Sequence, residues 1–266
     1  MSLERSLREV DGLKLALLQL PSRDSDTESN IELLKMMLRN VKADFYLTPE
    51  MFLTGFEIGE GNFTINGIWS EIRELSKGKA IGVGGLLEEN GKLYNAYIIF
   101  KDKEVVHVRK KLMLFDLMNE RDLFSVGNPP SVFELWDFKF SVIICYEVRF
   151  PELLYEPFRQ GVEVILVPAA WPRSRVKVWK ALVKARGYEN LAYSIGINRW
   201  GEGKYGPFGG HSVVATPSGE AIELGEGIGI LTIELSKDEI SRAREFPSYK
   251  DRIALQTKIN ILPKGT

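Results

Sequence analysis

Short apolar runs alternate with amphipathic stretches along most of the chain, the pattern of an α/β protein. The run Leu13-Lys14-Leu15-Ala16-Leu17-Leu18-Gln19-Leu20 stops at Pro21 and predicts a first strand. Ser25-Asp26-Thr27-Glu28 has the form of a capping box, after which Ile31, Leu34, Leu38 and Val41 recur at helical spacing. Phe45-Tyr46-Leu47 predicts a second strand running directly into Thr48-Pro49-Glu50. A helix near 65–77 leads to strands over 81–87 and 93–100, joined through Asn90-Gly91, a strong hairpin signal. A further strand is expected over 105–114, followed by an irregular stretch through Pro130. Phe138, Phe140, Val142 and Ile144 alternate as a half-buried strand that delivers Cys145 at its end, and Pro151 suits the first turn of a helix. A core strand over 164–167 and a helix around 176–190 follow. Beyond Ala192 the chain turns strand-rich, with Thr216-Pro217-Ser218-Gly219 as a turn. Hairpins between βα units do not suit a purely parallel doubly wound sheet; they suit two sheets packed face to face with helices outside.

The 266 residues contain no Pro/Gly/Ser-rich linker or charge block, so one domain over 1–266 is expected. The 35 basic and 36 acidic residues nearly cancel, which leaves no electrostatic footprint for nucleic acid or an anionic membrane. The longest apolar runs are strand-length, short of a membrane span. A single cysteine excludes an intrachain disulfide, and His107 and His211 lie too far apart for zinc-ligand spacing. Met1-Ser2-Leu3-Glu4-Arg5 lacks the apolar core of a signal peptide, so a cytoplasmic location is expected.

Cys145 lies where an alternating strand gives way to Tyr146-Glu147-Val148-Arg149-Phe150-Pro151, an elbow of the kind that presents nucleophiles at a sheet rim. A lone buried cysteine more often just fills space. A catalytic thiol needs a base and something to favour the thiolate. Neither histidine is tied to Cys145 by local sequence. Glu50 follows a buried strand, where it is either a base in apolar surroundings or a cap or rim carboxylate. Lys111, inside the expected strand 105–114, must snorkel out or be paired.

Together these segments resemble the nitrilase superfamily of carbon–nitrogen hydrolases over nearly the whole chain. Pro49-Glu50-Met51-Phe52-Leu53-Thr54-Gly55-Phe56 is similar to the family's glutamate motif. Lys110-Lys111-Leu112-Met113-Leu114-Phe115-Asp116 is similar to its lysine motif, with Met113 where histidine is usual. Cys145-Tyr146-Glu147-Val148-Arg149-Phe150-Pro151-Glu152 is similar to its cysteine motif, with Glu147 in place of aspartate. Pro168-Ala169-Ala170-Trp171-Pro172, 185–190, Asn198-Arg199 and Gly210-His211-Ser212 also look like family segments. Arg109-Lys110-Lys111 leaves two lysine frames, and anchoring on Leu114-Phe115-Asp116 selects Lys111. Met118-Asn119-Glu120 matches the loop that commonly carries a second family glutamate, where the plainer reading is a solvated loop carboxylate.

The resemblance implies a four-layer α-β-β-α sandwich, dimerising through helices, that needs no metal or organic cofactor. It implies Cys145 as nucleophile, Glu50 as general base and acid, Lys111 as oxyanion donor and Glu120 as a positioning carboxylate. Arg149, Tyr146 and Trp171 are the candidate substrate contacts. Arg149 either holds a substrate carboxylate or pairs with Glu147 or Glu152. The Trp171-Pro172-Arg173 neighbourhood looks most like the ω-amidase group, which acts on small dicarboxylic monoamides. N-carbamoyl-amine or β-ureido hydrolases come next, then nitrilases. A rival of another class is a catalytically idle partner-binding protein.

Overall fold

The computed structural model describes residues 12–261; the Met1–Arg5 segment lies outside them. From the first described strand the chain runs β1 (Leu13–Gln19), α1 (Thr27–Asn40), β2 (Phe45–Leu47), α2 (Trp69–Leu75), β3 (Ala80–Glu89), β4 (Lys92–Lys101) and β5 (Glu104–Lys110). It continues through a short helix α3 (Glu120–Leu123), β6 (Val132–Leu135), β7 (Phe138–Val142), α4 (Tyr155–Arg159), β8 (Val164–Ala169), α5 (Val176–Asn190) and β9 (Tyr193–Asn198). The last elements are β10 (Trp200–Gly201), β11 (Phe208–Gly209), β12 (Val213–Ala215), β13 (Ala221–Glu223), β14 (Gly229–Leu235), α6 (Lys237–Arg244) and α7 (Pro247–Ile261).

Two six-stranded sheets form, in the orders β14-β1-β2-β3-β4-β5 and β13-β12-β9-β8-β7-β6. Each has a parallel centre (β1-β2-β3 and β7-β8-β9) and antiparallel flanks. The strand period of two decides which side chains meet between the sheets. Leu15, Leu17, Phe45, Leu47, Tyr97 and Ile99 of the first sheet share one core with Phe140, Val142, Leu166, Ile195 and Ile197 of the second. The opposite face of the first sheet, through Ala16, Leu18, Ile81, Val83 and Ile98, packs on Ile31 and Leu34 of α1 and Trp69 and Ile72 of α2. Trp179 and Val183 of α5 cover the outer face of the second sheet, where Gly196 leaves room for the indole. The architecture is the expected α-β-β-α sandwich. No described helix is long and apolar enough to cross a membrane.

Several boundaries differ from expectation. The cap of α1 is Asp26, whose carboxylate accepts from the Ser29 N–H at 3.1 Å, while Ser25 sits at φ +61° and donates to Glu57 O. The helix expected near 65–77 is confined to α2. The strand expected over 105–114 ends at Lys110, so Lys111 lies just beyond it. Pro151 opens a 3₁₀ turn, Pro151–Leu154, that continues into α4. Strand β6 and helices α6 and α7 were not anticipated.

The glycines of β3 have a positional reason. A Cβ on Gly84 would stand 2.6 Å from both Pro49 O and Met51 N and 2.9 Å from Glu50 Cα, because the turn after β2 lies directly against this strand. Leu53 N donates to Gly84 O at 2.8 Å and Thr48 N to Gly82 O at 3.0 Å, which fixes that turn. The neighbours are backbone, so an added methyl cannot be relieved by a rotamer change. Gly84→Ala is therefore expected to cost about 1–3 kcal/mol in urea unfolding and to depress turnover by displacing Glu50. Gly225→Ala, where nothing lies within 4 Å, should stay within about 0.5 kcal/mol of the parent.

Candidate active site

Glu50 follows β2 in the turn held by Gly84, with Met51 at φ +52° completing the reversal. Its carboxylate is buried, 1% exposed, yet well supplied with donors. Oε1 accepts from Lys111 Nζ and from Asn95 Nδ2, both at 2.8 Å, and Oε2 accepts from the Ala170 N–H at 3.0 Å. Ala170 immediately follows β8, so the Glu50 carboxylate of one sheet is docked on a strand end of the other.

Lys111 is buried and does not snorkel. Its ammonium donates to Glu50 Oε1 and to Glu120 Oε1, each at 2.8 Å. Its N–H reaches Asn95 O at 2.9 Å and its carbonyl accepts from Gly127 N at 2.8 Å, which locks the backbone from both sides. Burial works against the ammonium, but the charges of Glu120 and Glu50 outweigh it and hold its pKa above the ordinary lysine range. Glu120 opens α3, and its Oε2 accepts from the Phe115 N–H at 2.8 Å. Burial pushes the Glu120 carboxyl up, with Lys111 pulling against it and Glu50 adding to the rise. Glu120 is a fully buried partner of Lys111, not a solvated loop carboxylate.

Cys145 begins a 3₁₀ turn, Cys145–Arg149, just past β7, and adopts φ +49°. Left-handed backbone at a non-glycine residue costs of order 1–3 kcal/mol and persists only where surroundings impose it. Glu147 imposes it. One carboxylate oxygen accepts from Arg109 and from the N–H groups of Leu112 (2.6 Å) and Met113 (3.2 Å), while the other accepts from Arg109 and from the Ile144 N–H at 2.7 Å. Arg109 also reaches Val142 O at 3.1 Å and Asn128 O at 2.6 Å. The cysteine elbow and the lysine segment are thus tied to one buried ion pair. Burial pushes the Cys145 thiol pKa well up, and the charge of Glu50 and a hydrogen bond with it add to that, while Lys111 and the Ala170 N–H pull it down.

A small cleft opens over Cys145, walled by Phe115, Met118, Tyr146, Ala170, Trp171 and Pro172, with Arg149 and Arg175 at its edge. All three candidate substrate contacts therefore line it. Trp171 is anchored by its indole N–H to Arg175 O at 3.0 Å and by its backbone N–H to Asn198 Oδ1 at 2.7 Å. Tyr146 rests against Phe115, with ring centres 4.9 Å apart. Arg149 is exposed, its guanidinium 5.1 Å from the Trp171 ring centre. It makes no ion pair with Glu147, which belongs to Arg109, nor with Glu152.

Neither histidine joins the site. His107 stacks on Phe133 with ring centres 4.3 Å apart between the sheets, and burial, then the charge of Arg109, lowers its pKa to about 4. His211 sits in a loop at φ +54°. Among the described residues no group of three or more His, Cys, Asp or Glu side chains could hold a metal ion. Sequence reasoning missed Asn95, the Arg109–Glu147 pair and Arg175. Asn95 did leave a signal: it is the polar position on the strand face that otherwise carries Leu93, Tyr97 and Ile99.

The profile of the family described as "Carbon-nitrogen hydrolase" matches residues 14–245. "Hydrolase in agr operon" of Staphylococcus aureus is 31% identical over 253 residues, covering 90% of this chain and 97% of that protein. The 2-oxoglutaramate amidase of Bacillus subtilis (strain 168) is 31% identical over 219 residues, covering 79% and 85%. A solved variant of the Nesterenkonia amidase of the nitrilase superfamily superposes with a TM-score of 0.81 at 24% identity, covering 94% of this chain and 98% of that one. With the family profile spanning both sheets and the turns after β2, β5 and β7, the chain belongs to the carbon–nitrogen hydrolase family.

Proposed function

We propose that the protein is an ω-amidase-type enzyme that hydrolyses a small linear amide carrying a distal carboxylate, through a thioester on Cys145. The observation that carries this reading is the buried contact of Glu50 with the Lys111 ammonium and the Ala170 N–H, with Ala170 and Cys145 together lining a small cleft. Glu50 takes the Sγ proton as sulfur bonds to the carbonyl carbon. The carbonyl oxygen becomes an oxyanion facing Lys111, with the Tyr146 N–H as a second donor. Glu50 returns its proton to the nitrogen, the C–N bond breaks and ammonia leaves. Water then attacks the thioester, giving a proton to Glu50; the C–S bond breaks and that proton returns to sulfur as the acid departs.

The substrate class is supported by size and charge. The cleft is narrow, walled by the bulky side chains of Phe115, Met118, Tyr146 and Trp171. Arg149 and Arg175 stand at its edge without an ion-pair partner among the described residues, whereas nearby Arg173 approaches Glu226 at 3.8 Å. The 2-oxoglutaramate amidase relative agrees with a carboxylate-bearing amide. Three mutually paired charges buried in the site also argue against an idle binding protein, because desolvating them without use is costly. We further propose a cytoplasmic homodimer. Exposed Val178 and Tyr188 on α5 and Leu255 on α7 offer apolar surface for a partner subunit.

Cys145→Ala should abolish ammonia release from a panel of small amides while circular dichroism stays native; turnover by that variant would end the mechanism. Glu50→Gln should stall after or during acylation, and rapid-quench intact-mass spectrometry should find the acyl mass on the protein.

Lys111→Met is expected to lose about 10²–10³ in kcat. Lys110→Met should stay near wild type, since Lys110 faces outward onto Glu89 at 2.5 Å. The reverse result would move the oxyanion donor by one residue.

Because both arginines are exposed, their attraction for a carboxylate is screened. A preference of about 5–30-fold in kcat/KM for a dicarboxylic monoamide over the matching aliphatic amide is expected, shrinking with added salt. Arg149→Gln and Arg175→Gln should each remove part of it. Equal values for the two amides in wild type would reject the substrate class.

A further inference from the structure

Asn95 occupies a core-facing position of β4 and is 1% exposed. Its Nδ2 donates to Glu50 Oε1 at 2.8 Å and to Glu120 Oε1 at 3.1 Å. Those same two oxygens each accept from Lys111 Nζ at 2.8 Å. The four atoms form a closed ring in which ammonium and amide alternate with two carboxylates. Asn95 Oδ1 is buried with no hydrogen-bond partner among the described residues. Leaving a buried acceptor unsatisfied is unfavourable, so the side chain is oriented for its donors. The flipped amide would set Oδ1 against two carboxylate oxygens.

We infer that Asn95 is a positioning residue that acts through Glu50 and Glu120, serving as the neutral counterpart of Lys111 so that two adjacent carboxylates stay ionised around one cation. This rests on the reading of Glu50 as the general base. Two carboxylates sharing a site disfavour each other's charge, and one cation offsets only part of that repulsion. A second cation in place of Asn95 would neutralise both but would compete with Lys111 for the oxyanion. An amide supplies two N–H donors without charge. It also frees Lys111: two of its three N–H bonds go to the carboxylates, and the third remains for substrate. The groups that face this ring are Cys145 beside Glu50, Arg199 acting on Glu50 from beyond β9, and Tyr205 near Glu120. Arg199 itself is engaged by Asp24 at 3.5 Å and Ser22 O at 2.5 Å, so it does not substitute for the missing donor.

The sign of the effect follows. A donor to a carboxylate favours its ionised form, so removing the donor lets the ring take up a proton at higher pH. Glu50 must be ionised to accept the thiol proton, so the acidic limb of the kcat/KM profile should move upward. The test compares Asn95→Ala, Asn95→Asp and wild type from about pH 5 to 9, on protein whose folding is verified by circular dichroism at each pH. Asn95→Ala should shift the acidic limb up by about one pH unit, with a loss of activity at neutral pH. Asn95→Asp, nearly identical in shape, should be worse than Asn95→Ala at neutral pH because it brings a third carboxylate into the ring. A space-filling role predicts the opposite: Asp better than Ala and an unmoved limb. Either of those results would overturn the inference. If the variants do not fold, the wild-type side-chain amide signal of Asn95 in ¹⁵N NMR decides instead. It should titrate with the midpoint of the acidic limb, and a signal indifferent to pH through that range would reject the role. An active Cys145→Ala would reject the underlying mechanism, whereas an inactive Cys145→Ala with an unmoved Asn95→Ala profile would reject only this assignment.

Discussion

The site depends on one ammonium group buried between two carboxylates. An isolated lysine at the depth of Lys111 would lose its charge, and an isolated Glu50 or Glu120 would gain a proton. The two carboxylates keep Lys111 charged, and removing the ammonium would leave both of them as uncompensated buried charge, a loss of about 3–5 kcal/mol for such pairs. The fold supplies the three from separate places: the turn after β2, the residue after β5 and the start of α3. Cys145 after β7 and the Ala170 N–H after β8 complete the site. Three of these five lie at carboxyl ends of the parallel strands β2, β7 and β8, where open α/β sheets place their ligand crevices because the strand-to-helix turns converge there. The two sheets must therefore pack in one register for the ammonium to find its partners.

That register is fixed close to the chemistry by the Arg109–Glu147 pair. A single carboxylate accepts from a guanidinium and three backbone N–H groups, joining the end of β5 to the elbow after β7. The replacement of the family's aspartate by Glu147 keeps the charge and lengthens the reach. The cost of Cys145 in left-handed backbone is met by these bonds, so the strain and the brace belong to one device. A histidine in the lysine motif is dispensable to this arrangement, because Met113 contributes to the brace through its backbone N–H, which any residue other than proline would supply.

The sandwich was legible because its signals are local. The period-two apolar runs, the Asn90-Gly91 turn and the helical stripe of α1 each follow from backbone geometry within a few residues. The misjudged end of β5 has a tertiary cause. Leu112-Met113-Leu114 is apolar enough for a strand, but Glu147 takes the N–H groups of Leu112 and Met113 that would have continued the ladder. Strand β6 is too short to announce itself and forms by pairing with β7. The site was legible only through motif resemblance, since Lys111 and Glu50 stand 61 residues apart and no local spacing joins them. Asn95 escaped because one polar residue on a strand face usually ends at an edge or a water, and only the assembled core reveals two carboxylates in front of it. Of the two readings of Arg149, the ion pair with Glu147 is closed because Arg109 already holds that carboxylate, and Arg149 stands exposed over Trp171.

The charge count of the site also determines how its thiol reacts. Lys111 with Glu50 and Glu120 carries a net charge of −1, and a thiolate at Cys145 would make it −2 in a buried volume. Burial and the Glu50 charge accordingly hold the thiol pKa far above its usual range, the reverse of a cysteine activated by an adjacent imidazolium. In the proposed mechanism the proton therefore leaves sulfur only as the substrate carbonyl accepts the electron pair. At that moment the negative charge passes beyond sulfur to an oxygen that Lys111 can reach, while Glu50, now neutral, no longer competes for the ammonium. Lys111 is bound to Glu50 in the resting site and, in the proposed mechanism, is released toward the oxyanion by the same proton transfer that starts the reaction. The stabilisation is thereby larger in the transition state than in the ground state, which is the condition for it to accelerate the chemical step. A histidine base would forgo this coupling: protonated, it would place a second cation beside Lys111 and draw the oxyanion and the carboxylates toward itself.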